Sequence, residues 1–325
     1  MSRIHEALKK AQQERATMQP ADAAASPLDT MIATSPLESS ALNVAMATAP
    51  QAASATAPFS DYLRFDDLRA HGVRTQWHLD PNTNVFFNPG LSVHGAEQFR
   101  TLRSRLYQIR SNQTLRTLLV TSAVPAEGKT FVTTNLAQAI VRQPGRRVLI
   151  IDADMRCARL HVSLGAPSSP GLTEYLLGEA DEMSVIQSPE EGNLCLIPGG
   201  KQATNPSELL SNGRLKRLLD RVTPVFDWVI LDSPPCLPVA DASIVADLCD
   251  GVLLVVRAAS TFSEVAKRAC QELQGRNIVG VVLNAADEDH IFSSYYSQGY
   301  GYGYGNGHDD QKDMAKRDGS SVVAK

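Results

Sequence analysis

Six runs of the chain are apolar almost without interruption: LRTLLVTS (115–122), RVLIIDAD (147–154), LCLIPG (194–199), DWVILDSPP (227–235), GVLLVVR (251–257) and IVGVVLN (278–284). A strand buried on one face alternates apolar and polar positions; a run without alternation predicts a strand buried on both faces. Amphipathic stretches lie between the runs, among them FVTTNLAQAIVRQ, PSELLSNGRLKRLLDRV and FSEVAKRACQELQG. Strand and helix in turn predict an α/β domain over residues 91–290, built on a doubly wound, mostly parallel sheet with right-handed crossovers. Ligands of such sheets bind at the carboxyl ends of the strands. Polar residues at those ends are therefore the first candidates for chemistry.

The flanks follow other patterns. In residues 1–16, Ile4, Ala7, Leu8 and Ala11 fall at helical spacing among charged neighbours. This predicts a short amphipathic helix with a narrow apolar stripe. Residues 17–60 are rich in Ala, Ser, Thr and Pro, with no Lys or Arg and no aromatic before Phe59, and read as a disordered linker. Residues 61–90 predict an irregular segment at the domain edge. Residues 291–325 predict a disordered tail in which Tyr295, Tyr296, Tyr300, Tyr302 and Tyr304 gather five of the eight tyrosines. Glycine alternates with these phenols, which weakens any strand and favours a mobile segment.

Composition narrows the picture. The chain has 325 residues, 43% hydrophobic, and a net charge of −4. The mild acidity gives no sign of a nucleic-acid binder. Five scattered cysteines form no Cys-x-x-Cys pair, which suits reduced thiols in the cytosol. No apolar run approaches the ~20 residues of a membrane span, and the first residues lack the apolar centre of a secretory signal. These features predict a protein that is soluble or held at a membrane by something else.

The strand ends carry the chemistry. The first strand runs into SAVPAEGKTFVTTN, with the core of a phosphate-binding loop. Residues Glu127, Gly128, Lys129, Thr130 and Phe131 form the expected nucleotide-binding run. Gly128 lets the backbone approach phosphate oxygens, Lys129 supplies charge, the Thr130 hydroxyl suits Mg²⁺, and the helix N-terminus adds its dipole. Ala123 stands where the usual pattern has its first glycine. The second strand ends in Asp152, Asp154 and Arg156, and the fourth in Asp232, Pro234 and Pro235. In a parallel sheet these ends converge beside the loop. Carboxylates there can hold Mg²⁺, for which Thr130, Asp154 and Asp232 are the candidates, or accept a proton; capping helices is their other ordinary use. Asn284 ends the last strand and offers a side-chain amide for an adenine edge or a turn. Upstream, Glu97, Arg100 and Arg103 share about a third of a helix's circumference, as an ordinary charged face or as an interface.

SAVPAEGKT, LIIDADMR and VILDSPP resemble the Walker A, A′ and B motifs of bacterial tyrosine kinases, P-loop autokinases of capsule and exopolysaccharide assembly. NPSELL (205–210), the strand ending VVLN and the tyrosine cluster are similar to the same family. The resemblance spans about residues 91–304 and implies a P-loop NTPase of the deviant Walker, partitioning ATPase-like type. Val124 stands where the partitioning ATPases carry a second lysine. The resemblance further implies ATP and Mg²⁺ as cofactors and Lys129, Asp152 and Asp154 as catalytic residues, with Asp152 the first choice of base. Glu97, Arg100 and Arg103 would then join copies into a homo-oligomeric ring. Tyr295, Tyr296, Tyr300, Tyr302 and Tyr304 would be autophosphorylated in trans. A separate membrane polysaccharide co-polymerase would activate the kinase at the inner membrane, and a cognate tyrosine phosphatase would reverse it. A P-loop ATPase switch and a non-catalytic ATP-binding regulator are the other readings of the same motifs.

Overall fold

The computed structural model describes residues 63–87 and 92–286. The predicted amphipathic helix (1–16), linker (17–60) and tyrosine-rich tail (291–325), with its five tyrosines, lie outside these residues. The described chain runs α1 (Phe65–His71), β1 (Val73–Arg74), α2 (Ser92–Asn112), β2 (Thr117–Ser122), α3 (Lys129–Val141), β3 (Val148–Asp152), α4 (Leu160–Leu164), α5 (Leu172–Leu177) and α6 (Glu182–Val185). It continues through β4 (Gln187–Ser188), β5 (Leu194–Ile197), α7 (Pro206–Ser211), α8 (Arg214–Val222), β6 (Trp228–Asp232), α9 (Asp241–Ala246), β7 (Gly251–Arg257), α10 (Ser263–Glu272) and β8 (Ile278–Asn284).

The eight strands form one sheet in the order β1-β4-β5-β3-β6-β2-β7-β8, parallel at every pairing except β4 with β5. All six apolar runs are strands of it. β2, β3, β5 and β6 are buried at every residue. Their alternate residues feed two cores. Leu149 and Ile151 of β3 face one with Leu172, Leu215, Leu218 and Ala269. Val148 and Ile150 face the other with Phe99, Leu106, Leu136 and Ile140. Helices therefore cover both faces, which is why the runs show no alternation.

The structure adds detail at three places. β8 is not buried on both faces: Val281 and Leu283 are 57% and 60% exposed, because β8 is the last strand of the sheet. The stretch 206–222 is two helices, broken where Gly213 takes a left-handed φ of 79°. The edge segment is more regular than its sequence suggests. Phe65 of α1 packs edge-on against Phe226, and β1 extends the sheet. Farther along, Val85 N donates to Asn135 Oδ1 of α3 at 2.9 Å.

Candidate active site

The centre of the site is the turn from β2 into α3. Lys129 is the first residue of α3, and Gly128 before it takes φ 94°. That φ favours glycine, and a Cβ on Gly128 would lie 2.0 Å from Asn284 Nδ2, so the amide would have to turn away from the loop. Ala126, two residues earlier, also takes a positive φ, of 66°, at a cost of about 1–2 kcal/mol for an L-residue with a side chain.

The ends of β3 and β6 meet this turn. Thr130 Oγ1 donates to Asp232 Oδ2 at 2.6 Å, and Thr133 Oγ1 to Asp232 Oδ1 at 3.3 Å. Lys129 Nζ lies 3.2 Å from Asp154 Oδ2, both side chains being largely buried. Asp152 and Asp232 are opposite each other on adjacent strands. The structure thus brings Lys129, Thr130, Asp152, Asp154 and Asp232 into one cluster.

The carboxylates differ in what they touch. Asp152 is fully buried. Its Oδ1 accepts from Asp154 N at 3.2 Å, and its Oδ2 from Arg159 N and Leu160 N at 2.9 and 3.0 Å. Burial, reinforced by the Asp232 charge, raises its carboxyl well above the usual range. The carboxylate expected as first choice of proton acceptor is thus engaged by backbone N–H groups at the start of α4. Burial also pushes Asp232 up to about 6, against the pull of Lys129 and the Thr130 hydroxyl. Asp154 retains the position beside Lys129; its Oδ1 accepts from Cys157 N at 3.0 Å.

Other expected site residues are placed differently. The Glu127 carboxylate points into the protein and is 2% exposed. Asn284 Nδ2 donates to the Glu127 carbonyl at 2.9 Å, so this amide hydrogen is used by the loop itself. The Phe131 ring packs at 61° to Phe99, 5.8 Å between centroids, on the α2 side. In α2, Glu97 and Arg100 are exposed and ion-paired with each other. Arg103 instead donates to the Ala139 carbonyl of α3 at 2.6 Å.

Sequence reasoning missed the Arg156–Asp241–Ser207 cluster at the rim. Buried Asp241 accepts from Arg156 Nε at 2.8 Å, Arg156 Nη2 at 3.1 Å and Ser207 Oγ at 2.5 Å. This pins together the segments after β3, β5 and β6, three neighbouring strands. Arg156 and NPSELL stood out in the sequence, but Asp241, in PVADAS, carried no motif that paired it with either.

The donor set suits a magnesium-bound nucleotide. Mg²⁺ is usually held by one or two carboxylates and substrate phosphates rather than by a full protein cage. The described residues contain no group of three His, Cys, Asp or Glu side chains able to hold a metal alone. A threonine hydroxyl against Asp232, with Lys129 beside Asp154, is an incomplete set that phosphates would complete. Two clefts of about 490 and 440 Å³ include none of these residues; the first is lined by Tyr175, Glu182, Arg214, Arg217 and Arg221 among others.

Comparison with known proteins points the same way. Residues 125–266 match an AAA domain model. The chain is 34% identical over 191 residues to the tyrosine-protein kinase YwqD of Bacillus subtilis, covering 58% of this chain and 80% of that protein. It is 35% identical over 237 residues to the tyrosine-protein kinase Etk of Escherichia coli K12, covering 71% of this chain but only 32% of Etk. Among solved structures, the kinase domain of Escherichia coli Etk superposes with a TM-score of 0.58 at 33% identity, covering 70% of this chain and 87% of that one. The chimerical protein CapA2B2 gives 0.60 at 26% identity, covering 69% and 99%.

Proposed function

The chain belongs to the bacterial tyrosine-protein kinases, and from that membership we propose that it moves the γ-phosphate of MgATP onto tyrosines, first of all those of its own tail. The observation that carries this reading is the direct linkage of Lys129 to Asp154 and of Thr130 to Asp232 behind a glycine in the left-handed region.

The roles follow from position. Backbone N–H groups at the start of α3, with the helix dipole, bind phosphate oxygens. Lys129 neutralises charge that spreads over the phosphoryl oxygens during transfer. Thr130, Asp232 and Asp154 are the residues to hold magnesium, which supplies further charge neutralisation when bound. A phenol has an ordinary pKa near 10 and needs a nearby acceptor. Asp154 takes that part. The tyrosine oxygen bonds to the γ-phosphorus, the bond to the β-phosphate oxygen breaks, ADP leaves, and the phenolic proton passes to the Asp154 carboxylate.

The substrates are Tyr295, Tyr296, Tyr300, Tyr302 and Tyr304 of a neighbouring copy in a ring, with Glu97 and Arg100 exposed on α2 to meet it. The setting is capsule or exopolysaccharide assembly at the inner membrane, with a membrane co-polymerase as activator and a tyrosine phosphatase as antagonist. Among the described residues no helix is long and apolar enough to cross a membrane.

A mixing experiment tests transfer in trans. Lys129→Met chain, with an intact tail, is incubated with MgATP and a wild-type chain cut after residue 290. Phosphotyrosine should appear on the Lys129→Met tail. Its absence, while intact wild type labels itself, would show transfer within one chain. Phosphate release without any phosphotyrosine would favour the ATPase switch.

A further inference from the structure

Glu127 lies between two residues in the left-handed region, Ala126 and Gly128. Glycine adopts that conformation freely, whereas alanine holds it only where neighbours over-determine it. The neighbours are identifiable. Glu127 Oε2 accepts from Val124 N at 2.8 Å and closes the loop on itself. Glu127 Oε1 accepts from Thr261 Oγ1 at 2.5 Å and from Arg257 N at 3.4 Å. Arg257 Nη1 donates to the Ala126 carbonyl at 3.2 Å, and Asn284 Nδ2 to the Glu127 carbonyl. Arg257 and Asn284 stand opposite each other at the ends of β7 and β8. Two adjacent strand ends therefore grip the two loop residues just before Gly128. The buried Glu127 carboxylate is the peg between them.

We infer that Glu127 is the positioning residue of the phosphate loop, anchored by Thr261 and Arg257, and that it shapes the loop from behind instead of touching the nucleotide. This rests on the nucleotide-binding part of the reading above, but concerns how the loop is held, so binding reports on it independently of transfer. A carboxylate is required because it accepts on both oxygens. An amide offers one acceptor oxygen, so either the Val124 N–H or the Arg257 N–H then faces an NH2, and the Thr261 hydroxyl must turn from donor to acceptor wherever that NH2 meets it.

The test is calorimetric titration of the full chain with MgADP. Glu127→Gln should weaken binding ten-fold or more. Thr261→Val, which removes the hydroxyl that holds the carboxylate, should weaken it three-fold or more, and Thr261→Ser should restore wild-type affinity. Ala126→Gly added to Glu127→Gln should recover part of the loss, because glycine keeps the left-handed turn unaided. In phosphorylation assays KM for ATP should rise while kcat stays within three-fold. Wild-type MgADP affinity in folded Glu127→Gln and Thr261→Val would overturn the inference, even with lowered Tm, because the carboxylate would then support the fold alone. If Glu127→Gln fails to fold, the Thr261→Val and Thr261→Ser pair decides by the same criteria. Wild type that binds MgADP but phosphorylates no tyrosine would sink the kinase reading and leave these affinities as the test of this one.

Discussion

At the scale of single residues, the two aspartates at the end of β3 differ in what they touch, Asp152 backbone N–H groups and Asp154 the Lys129 ammonium. Asp154→Asn removes the proposed proton acceptor, which is also a proposed magnesium ligand, and should lower kcat on the order of 100-fold or more and weaken MgADP binding as well. Asp152→Ala strips an acceptor from three backbone N–H groups, those of Asp154 and Leu160 being buried. It should cost about 1–3 kcal/mol of stability, read by denaturant unfolding. The rim pair makes a pH prediction. Burial pushes the Asp241 carboxyl up, but the Arg156 and Ser207 hydrogen bonds outweigh it and hold the carboxyl below the ordinary aspartate value. The folded state therefore binds this proton less readily than the unfolded chain. The stability it contributes is present above the ordinary aspartate pKa and is lost as pH falls below it. Arg156→Ala should flatten that acid limb in unfolding curves measured against pH. Gly128, Lys129 and Thr130 were legible because a short motif states their chemistry. The inward turn of Glu127 and Asp152 was not, because one residue letter does not say whether a carboxylate faces ligand or backbone.

Elements were legible in proportion to their length and burial. Six strands could be read because aliphatic residues without alternation have few alternatives between amphipathic helices. α8 showed Leu215, Leu218, Leu219 and Val222 at helical spacing, and these are its buried residues. α4, α5, α6 and α9 are four to six residues long, too short for a 3.6-residue period to show. β1 and β4 have two residues each and exist through pairing, which no local pattern encodes. α3 carries the phosphate loop on a helix with nine buried residues, so its packing and the site are coupled. Leu136→Ala, at a fully buried position of α3, should cost about 2–5 kcal/mol in denaturant unfolding. A loss near zero would mean that the helix is not anchored through this face.

For the whole molecule, the account requires a catalytic domain that acts on the tail of another copy. Each phosphotyrosine adds roughly −1.5 to −2 charges, so five add on the order of −8 to −10. That charge should repel the tail from a site lined by carboxylates and nucleotide phosphates. Light scattering should therefore show a fall in assembly mass after incubation with MgATP; a mass unchanged after full phosphorylation would contradict self-release. The most direct test of the central claim is a mass-spectrometric phosphate map of the full chain after incubation with MgATP, wild type beside Lys129→Met. The account predicts phosphate on Tyr295, Tyr296, Tyr300, Tyr302 and Tyr304 in wild type and none in Lys129→Met. A wild-type chain that binds ATP yet carries no phosphotyrosine, or a Lys129→Met chain labelled equally well, would contradict it.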